Sequence, residues 1–76
     1  MGKDKNKKMK VTYSYKVMVL NNNRPQTISE GVTHEQAMTT FNTLKELDAT
    51  AYVWQYDQRR GLERDPRAKI ILSHNW

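Results

Sequence analysis

From Val11 to Leu20 apolar and polar positions alternate. Val11, Tyr13, Tyr15, Val17 and Val19 fall on one side of an extended chain, and Thr12, Ser14, Lys16, Met18 and Leu20 on the other. The first set is β-branched or aromatic throughout, which suits a pleated, half-buried surface, so this stretch predicts a strand. Asn21 to Pro25 follows as a hairpin connection, because asparagine tolerates positive φ and folds its side chain back on the backbone. A shorter strand is expected at about Gln26 to Glu30, with Ile28 its one strong apolar residue. Short and polar is how an edge strand reads. Gly31 is expected to end it.

The pattern then changes period. Ala37, Met38, Phe41, Leu44 and Leu47 recur at helical spacing, and "THEQ" stands just ahead of them. That tetrapeptide is a capping box: the Thr33 hydroxyl accepts from the amide of Gln36, whose side chain reaches back to the amide of Thr33. Val32 and Ala37 stand where a hydrophobic staple would sit, and Glu35 lies in the first turn, where the helix dipole favours a negative charge. A helix is expected from His34 to about Leu47. Its end is poorly marked: no glycine follows, and Asp48 stands at the negative end of the dipole. Glu35, Thr39, Asn42, Thr43 and Glu46 form its polar face, with Lys45 at the margin.

Ala49 to Tyr56 alternates strictly and predicts a third strand; "DQRRGLERDP" reads as a turn with Gly61 and Pro66 as punctuation; Ala68 to Ser73 predicts a fourth. The order is ββαββ. Each half forms a hairpin, and the helix carries the chain across one face. Pairing the third strand with the first makes every neighbour antiparallel, with strand order 2-1-3-4 and the longest apolar strands in the centre. The expected fold is a single two-layer α+β domain, a four-stranded antiparallel sheet with one helix on one face.

The third strand offers two arrangements. Tyr52, Trp54 and Tyr56 point toward the helix, or Ala51 and Val53 do and the three rings form a platform on the open face. A displayed row of rings could stack bases, each stack worth roughly 1 to 3 kcal/mol, or anchor a protein interface. The first arrangement is the expectation. Three aromatics supply much of the apolar area so small a domain can bury, and the helix offers one large ring, Phe41.

Composition narrows the function. Seventy-six residues make one domain at most, with a thin stability margin and no cysteine to staple it or to hold zinc; size alone leaves a homodimer open. The net charge is +5, but it is concentrated. Lys3, Lys5, Lys7, Lys8 and Lys10 stand against Asp4 in residues 1–10, read as a flexible lysine-rich tail, while residues 11–76, the α+β domain, carry eight Lys or Arg against seven Asp or Glu. The N-terminal segment lacks the roughly 7 to 15 apolar residues of a secretory signal, and no segment is long and apolar enough for a membrane span. A cytoplasmic location is expected.

Catalytic chemistry is sparse. His34 and Glu35 begin like a zinc-protease helix, but the second histidine of that motif would stand at Met38. The three glycines, at 2, 31 and 61, are too scattered for a phosphate-cradling loop, and no serine lies in a nucleophile elbow. No enzyme activity, metal or cofactor is expected. Arg59, Arg60, Arg64 and Arg67 flank the last turn with Glu63 and Asp65 among them. They read either as a solvated loop of weak ion pairs or as a basic finger for forked contacts with carboxylates or phosphates. The acidic helix face argues against major-groove reading.

The expected function is a small non-catalytic protein-binding module, an inhibitor, adaptor or regulator that occupies a surface of a larger protein. The four arginines with Tyr52, Trp54 and Tyr56 are its contact residues. The alternative is a nucleic-acid binder that uses the five tail lysines, the arginine loop and the rings; its support is the isoelectric point near 9.7. In size and plainness the chain resembles the small accessory proteins that bacteriophages encode, a resemblance of type carried by no motif.

Overall fold

The computed structural model describes residues 11–75. The chain runs β1 (Tyr13–Asn21), β2 (Arg24–Val32), α1 (His34–Glu46), β3 (Ala51–Asp57) and β4 (Lys69–His74). All neighbouring strands are antiparallel, and the sheet order is β2-β1-β3-β4. One helix packs on one face, which makes the two-layer α+β arrangement that the alternation and the connection rules predict. The lysine-rich segment 1–10 lies outside the described residues. Among the described residues no helix is long and apolar enough to cross a membrane.

β1 and β2 meet in a two-residue turn. Asn22 and Asn23 both take positive φ, 55° and 65°, as a type I′ turn requires and asparagine tolerates. β2 is longer than its sequence suggests, nine residues, and Gly31 sits inside it. The register explains why the pattern is hard to read: pairing with β1 shifts between Tyr15 and Lys16 and again between Val17 and Met18, leaving Gly31 and Ile28 as extra residues in β2. Each bulge reverses the alternation. Gly31 takes φ +69° there, a region a side chain disfavours. A third bulge places Ile71 as an extra residue in β4. All three lie on edge strands, where bulges discourage pairing with another chain.

The helix begins as its capping box dictates. The Thr33 hydroxyl accepts from Gln36 N at 3.1 Å, and Gln36 Oε1 accepts from Thr33 N at 3.0 Å. It ends by a device the sequence hides. Asp48 adopts the left-handed region, φ 56°, its amide donates to the Lys45 carbonyl, and the Ala49 amide donates to that of Leu44, both at 2.9 Å. This is a Schellman closure with aspartate in the place glycine commonly takes. Asp48 is held there from outside: Asn75 Nδ2 donates to its carbonyl at 3.2 Å and to its Oδ1 at 2.8 Å, and His74 Nε2 lies 3.2 Å from the same oxygen. Leu47, expected in the apolar stripe, is 72% exposed because it falls in the cap, beyond the face that meets the sheet.

The core lies between helix and sheet. Ala37 and Phe41 of α1 meet Tyr15 and Val17 of β1 and Ala51 and Val53 of β3, with Val32, Leu44, Ile71 and Leu72 at its margin. The expectation that Tyr52, Trp54 and Tyr56 face the helix is therefore corrected. Val17 pairs with Val53, and Val19 with Ala51, so the small residues of β3 point inward and the three rings point to the opposite face. The cause is volume. Tyr15 and Phe41 already fill the layer, and further rings at 52, 54 and 56 would overpack it.

The rings do not form an open platform either. Tyr52 and Tyr56 are 7% and 6% exposed, and Trp54 is half-buried. Tyr56 stands opposite Ser14 and reaches past β1 to β2, where its hydroxyl accepts the Gly31 amide at 3.1 Å. The buried Ser14 is small enough to lie beneath a ring that crosses the strand.

Candidate functional site

The helix starts beside Tyr15, whose ring meets the His34 ring edge-on with centroids 5.2 Å apart. One residue pair further along the sheet the helix cover ends. Tyr13, Gln55, Asp57 and Lys69 share the helix-side face there, because Tyr13 pairs with Asp57 while Gln55 pairs with both Tyr15 and Lys69. Tyr13 is 48% exposed. The β3–β4 loop, residues 58–68, rises beside this shelf and closes it into a cleft of about 640 Å³ lined also by Arg59, Arg60 and Arg67.

This loop is held by hydrogen bonds and is no loose turn. Two short segments, Asp57-Gln58-Arg59 and Asp65-Pro66-Arg67, carry the same device. Asp57 Oδ1 accepts from Arg59 N at 2.8 Å, and Asp65 Oδ1 accepts from Arg67 N at 2.9 Å. In each case an aspartate binds the amide two residues on and fixes the backbone of the arginine that carries it. Asp65 Oδ2 also accepts from Asp57 N at 2.7 Å, which ties the two ends of the loop together. Between them the Asp57 carbonyl accepts from Arg60 N and Gly61 N, at 3.1 and 2.9 Å, and the Gly61 carbonyl accepts from Arg64 N and Asp65 N, at 3.3 and 3.1 Å. Gly61 makes the turn with φ +81°. The Gln58 amide donates to the Thr12 carbonyl at 2.9 Å and so binds the loop's start to the segment leading into β1.

The consequence is electrostatic. The carboxylates are occupied with backbone amides: the Arg67 and Asp57 amides hold the Asp65 carboxyl below the usual carboxylate range, with the Arg60 and Arg67 charges adding to the effect. The guanidinium groups are left over. Arg60 Nε lies 3.9 Å from Asp57 Oδ2, a long contact. Arg59, Arg64, Arg67 and Lys69 enter no ion pair among the described residues. Gln55 contributes in the same sense, since its Oε1 already accepts from the Tyr15 hydroxyl at 3.2 Å and its amide hydrogens remain to offer. The cleft presents donors, and most of its acceptors are spent.

The structure divides the expected contact residues. Arg59, Arg60 and Arg67 line the cleft. Arg64 lines a smaller groove of about 320 Å³ on the other face with Lys16, Glu30, Leu62 and Glu63, and Arg60 borders both. Of the β3 rings, Tyr52 and Tyr56 are buried and Trp54 is half-buried, so the three do not form a displayed row. Lys3, Lys5, Lys7, Lys8 and Lys10 lie outside the described residues. Tyr13, Gln55 and Lys69 are cleft residues that the sequence pattern did not single out. The repeated Asp-x-Arg spacing at 57–59 and 65–67 was the available signal.

Compared with protein-family models, with curated proteins and with solved structures, the chain finds no match.

Proposed function

We propose that the protein is a non-catalytic binding module that occupies an acidic surface of a larger protein through its β3–β4 loop. The observation that carries this reading is the pair of Asp-x-Arg turns. They fix the backbone at Arg59 and Arg67 while leaving both guanidinium groups without a carboxylate among the described residues. A loop ordered before binding loses less entropy on contact. Arginine presents its donors as a fork that fits carboxylate and phosphate oxygens. The edge strands are poorer candidates, because all three bulges lie on them.

The nucleic-acid alternative loses support from the rings. Stacking needs displayed faces, and Tyr52 and Tyr56 are buried. The exposed side of the helix carries Glu35 and Glu46.

The test is affinity capture with the full chain after nuclease treatment, wild type beside an Arg59→Ala/Arg67→Ala variant. Retention of one protein in fixed ratio by the wild type, and its loss with the double variant, is the expected result. Capture of nucleic acid instead, weakened steeply by salt and abolished by deleting residues 1–10, would replace this reading with the alternative.

A further inference from the structure

The cleft itself points to a more specific ligand. Arg59, Arg67 and Lys69 bring three positive charges to one end of the sheet, and neither Asp57 nor Asp65 forms an ion pair with any of them. One carboxylate brings a single negative charge. A phosphate monoester brings about −1.5 to −2 near pH 7, with three acceptor oxygens. The amide hydrogens of Gln55 add a neutral donor, and the half-exposed Tyr13 ring forms an apolar floor beside them. A cleft of about 640 Å³ admits a phosphorylated side chain with its neighbours.

We propose that this cleft binds a phosphate monoester, carried on a side chain of the partner protein, with Arg59, Arg67 and Lys69 on the phosphate oxygens and Tyr13 against the attached group. The proposal rests on the reading of the loop as a partner-binding element and deepens it. The oxygens take the donors that the two aspartates leave free. The Asp65 carboxylate is engaged with the amides of Asp57 and Arg67 and Asp57 Oδ1 with that of Arg59, so the two negative charges in the lining are directed at the backbone and are outnumbered by Arg59, Arg60, Arg67 and Lys69.

The experiment is a nuclear magnetic resonance titration of the full chain with phenyl phosphate and with benzoate, at constant ionic strength, at pH 5 and pH 7.5. At pH 7.5 phenyl phosphate should shift the Tyr13 ring, the Gln55 amide and the Arg59 and Arg67 guanidinium signals. It should bind about tenfold more tightly than benzoate. Binding should weaken at pH 5, where the monoester regains its second proton near pH 6. The groups facing the ligand are Asp57, Asp65, Arg59, Arg60, Arg67 and Lys69, with His34 next to Tyr15 nearby.

Arg67→Ala should weaken phenyl phosphate about tenfold, while Arg24→Ala, in the distant β1–β2 hairpin, should leave it unchanged. The Arg67 amide, which holds the loop, is retained in the alanine variant. Equal affinity for benzoate, equal affinity at the two pH values, or an Arg67→Ala chain that binds as the wild type would each overturn the proposal. Phosphatase treatment of the captured partner separates the two sources of the group. Loss of capture supports a phosphorylated side chain. Unchanged capture, with phenyl phosphate still bound, overturns that assignment in favour of a free phosphorylated ligand. If phenyl phosphate fails while capture still needs Arg59 and Arg67, the phosphate assignment falls and the partner-binding reading stands.

Discussion

The Gly31 amide donates to the Tyr56 hydroxyl at 3.1 Å, across the width of β1. A bulge frees that amide from the β1–β2 ladder, and a tyrosine from the far side of the central strand takes it up. The bond links an edge strand to the sheet centre and keeps the Tyr56 ring on the face away from the helix.

Tyr56→Phe should therefore destabilise the fold by about 1 kcal/mol, since it leaves a part-buried amide without its acceptor. Urea denaturation of the two chains, compared at equal slope, measures the difference. Gly31→Ala should cost about the same for another reason. Nothing lies within 4 Å of the added methyl group, so the cost is that of holding alanine at φ +69°.

Thr33→Ala removes one half of the capping box, whose two bonds are 3.1 and 3.0 Å long. The expected loss is about 1 kcal/mol, visible as an earlier thermal transition by circular dichroism, with helix content at low temperature nearly unchanged.

Val53 is fully buried beside Val17 under the helix. Val53→Ala should cost about 2 kcal/mol by removing two methyl groups from a packed layer. Ala51→Leu should also destabilise, by about 1 to 3 kcal/mol, because the space is already filled. The same urea denaturation assay measures both differences.

Acid should weaken the fold through Asp48 and Asp65. Hydrogen bonds from Asn75 and His74 lower the Asp48 carboxyl, and the amides of Arg67 and Asp57 lower that of Asp65. Both are depressed in the folded chain, so their stabilisation is fully present above the unfolded value of about 4 and is lost as pH falls through the folded values. Denaturation midpoints should fall below about pH 4 in the wild type. The Asp48→Asn/Asp65→Asn variant should start lower at pH 7 and fall less.

Local signals were legible in the sequence, and signals that depend on distant residues were not. The capping box at Thr33 stands within four residues and predicts the helix start. The helix end depends on Asp48 and Asn75, 27 positions apart, and no local pattern announces it. Strand β2 looked short because Gly31 and Ile28 interrupt its period without ending it. The facing of β3 turned on how much space Tyr15 and Phe41 leave, a question of volume that alternation does not answer. In the loop, Arg59 and Arg67 were conspicuous as charges. That Asp57 and Asp65 serve the backbone, and so release those charges, is visible only in the geometry.

The strand order has a consequence during synthesis. β1 and β2 can pair as soon as the Asn22-Asn23 turn emerges, but the other side of β1 waits for β3, whose first residue, Ala51, pairs with Val19. While the ribosome makes the intervening helix, a hairpin with one bare hydrogen-bonding edge must stay in solution. The join that completes the sheet is a long-range one, slow to close by its separation along the chain. Agents that bind nascent hairpins should therefore delay this protein most when chains are stalled before Ala51.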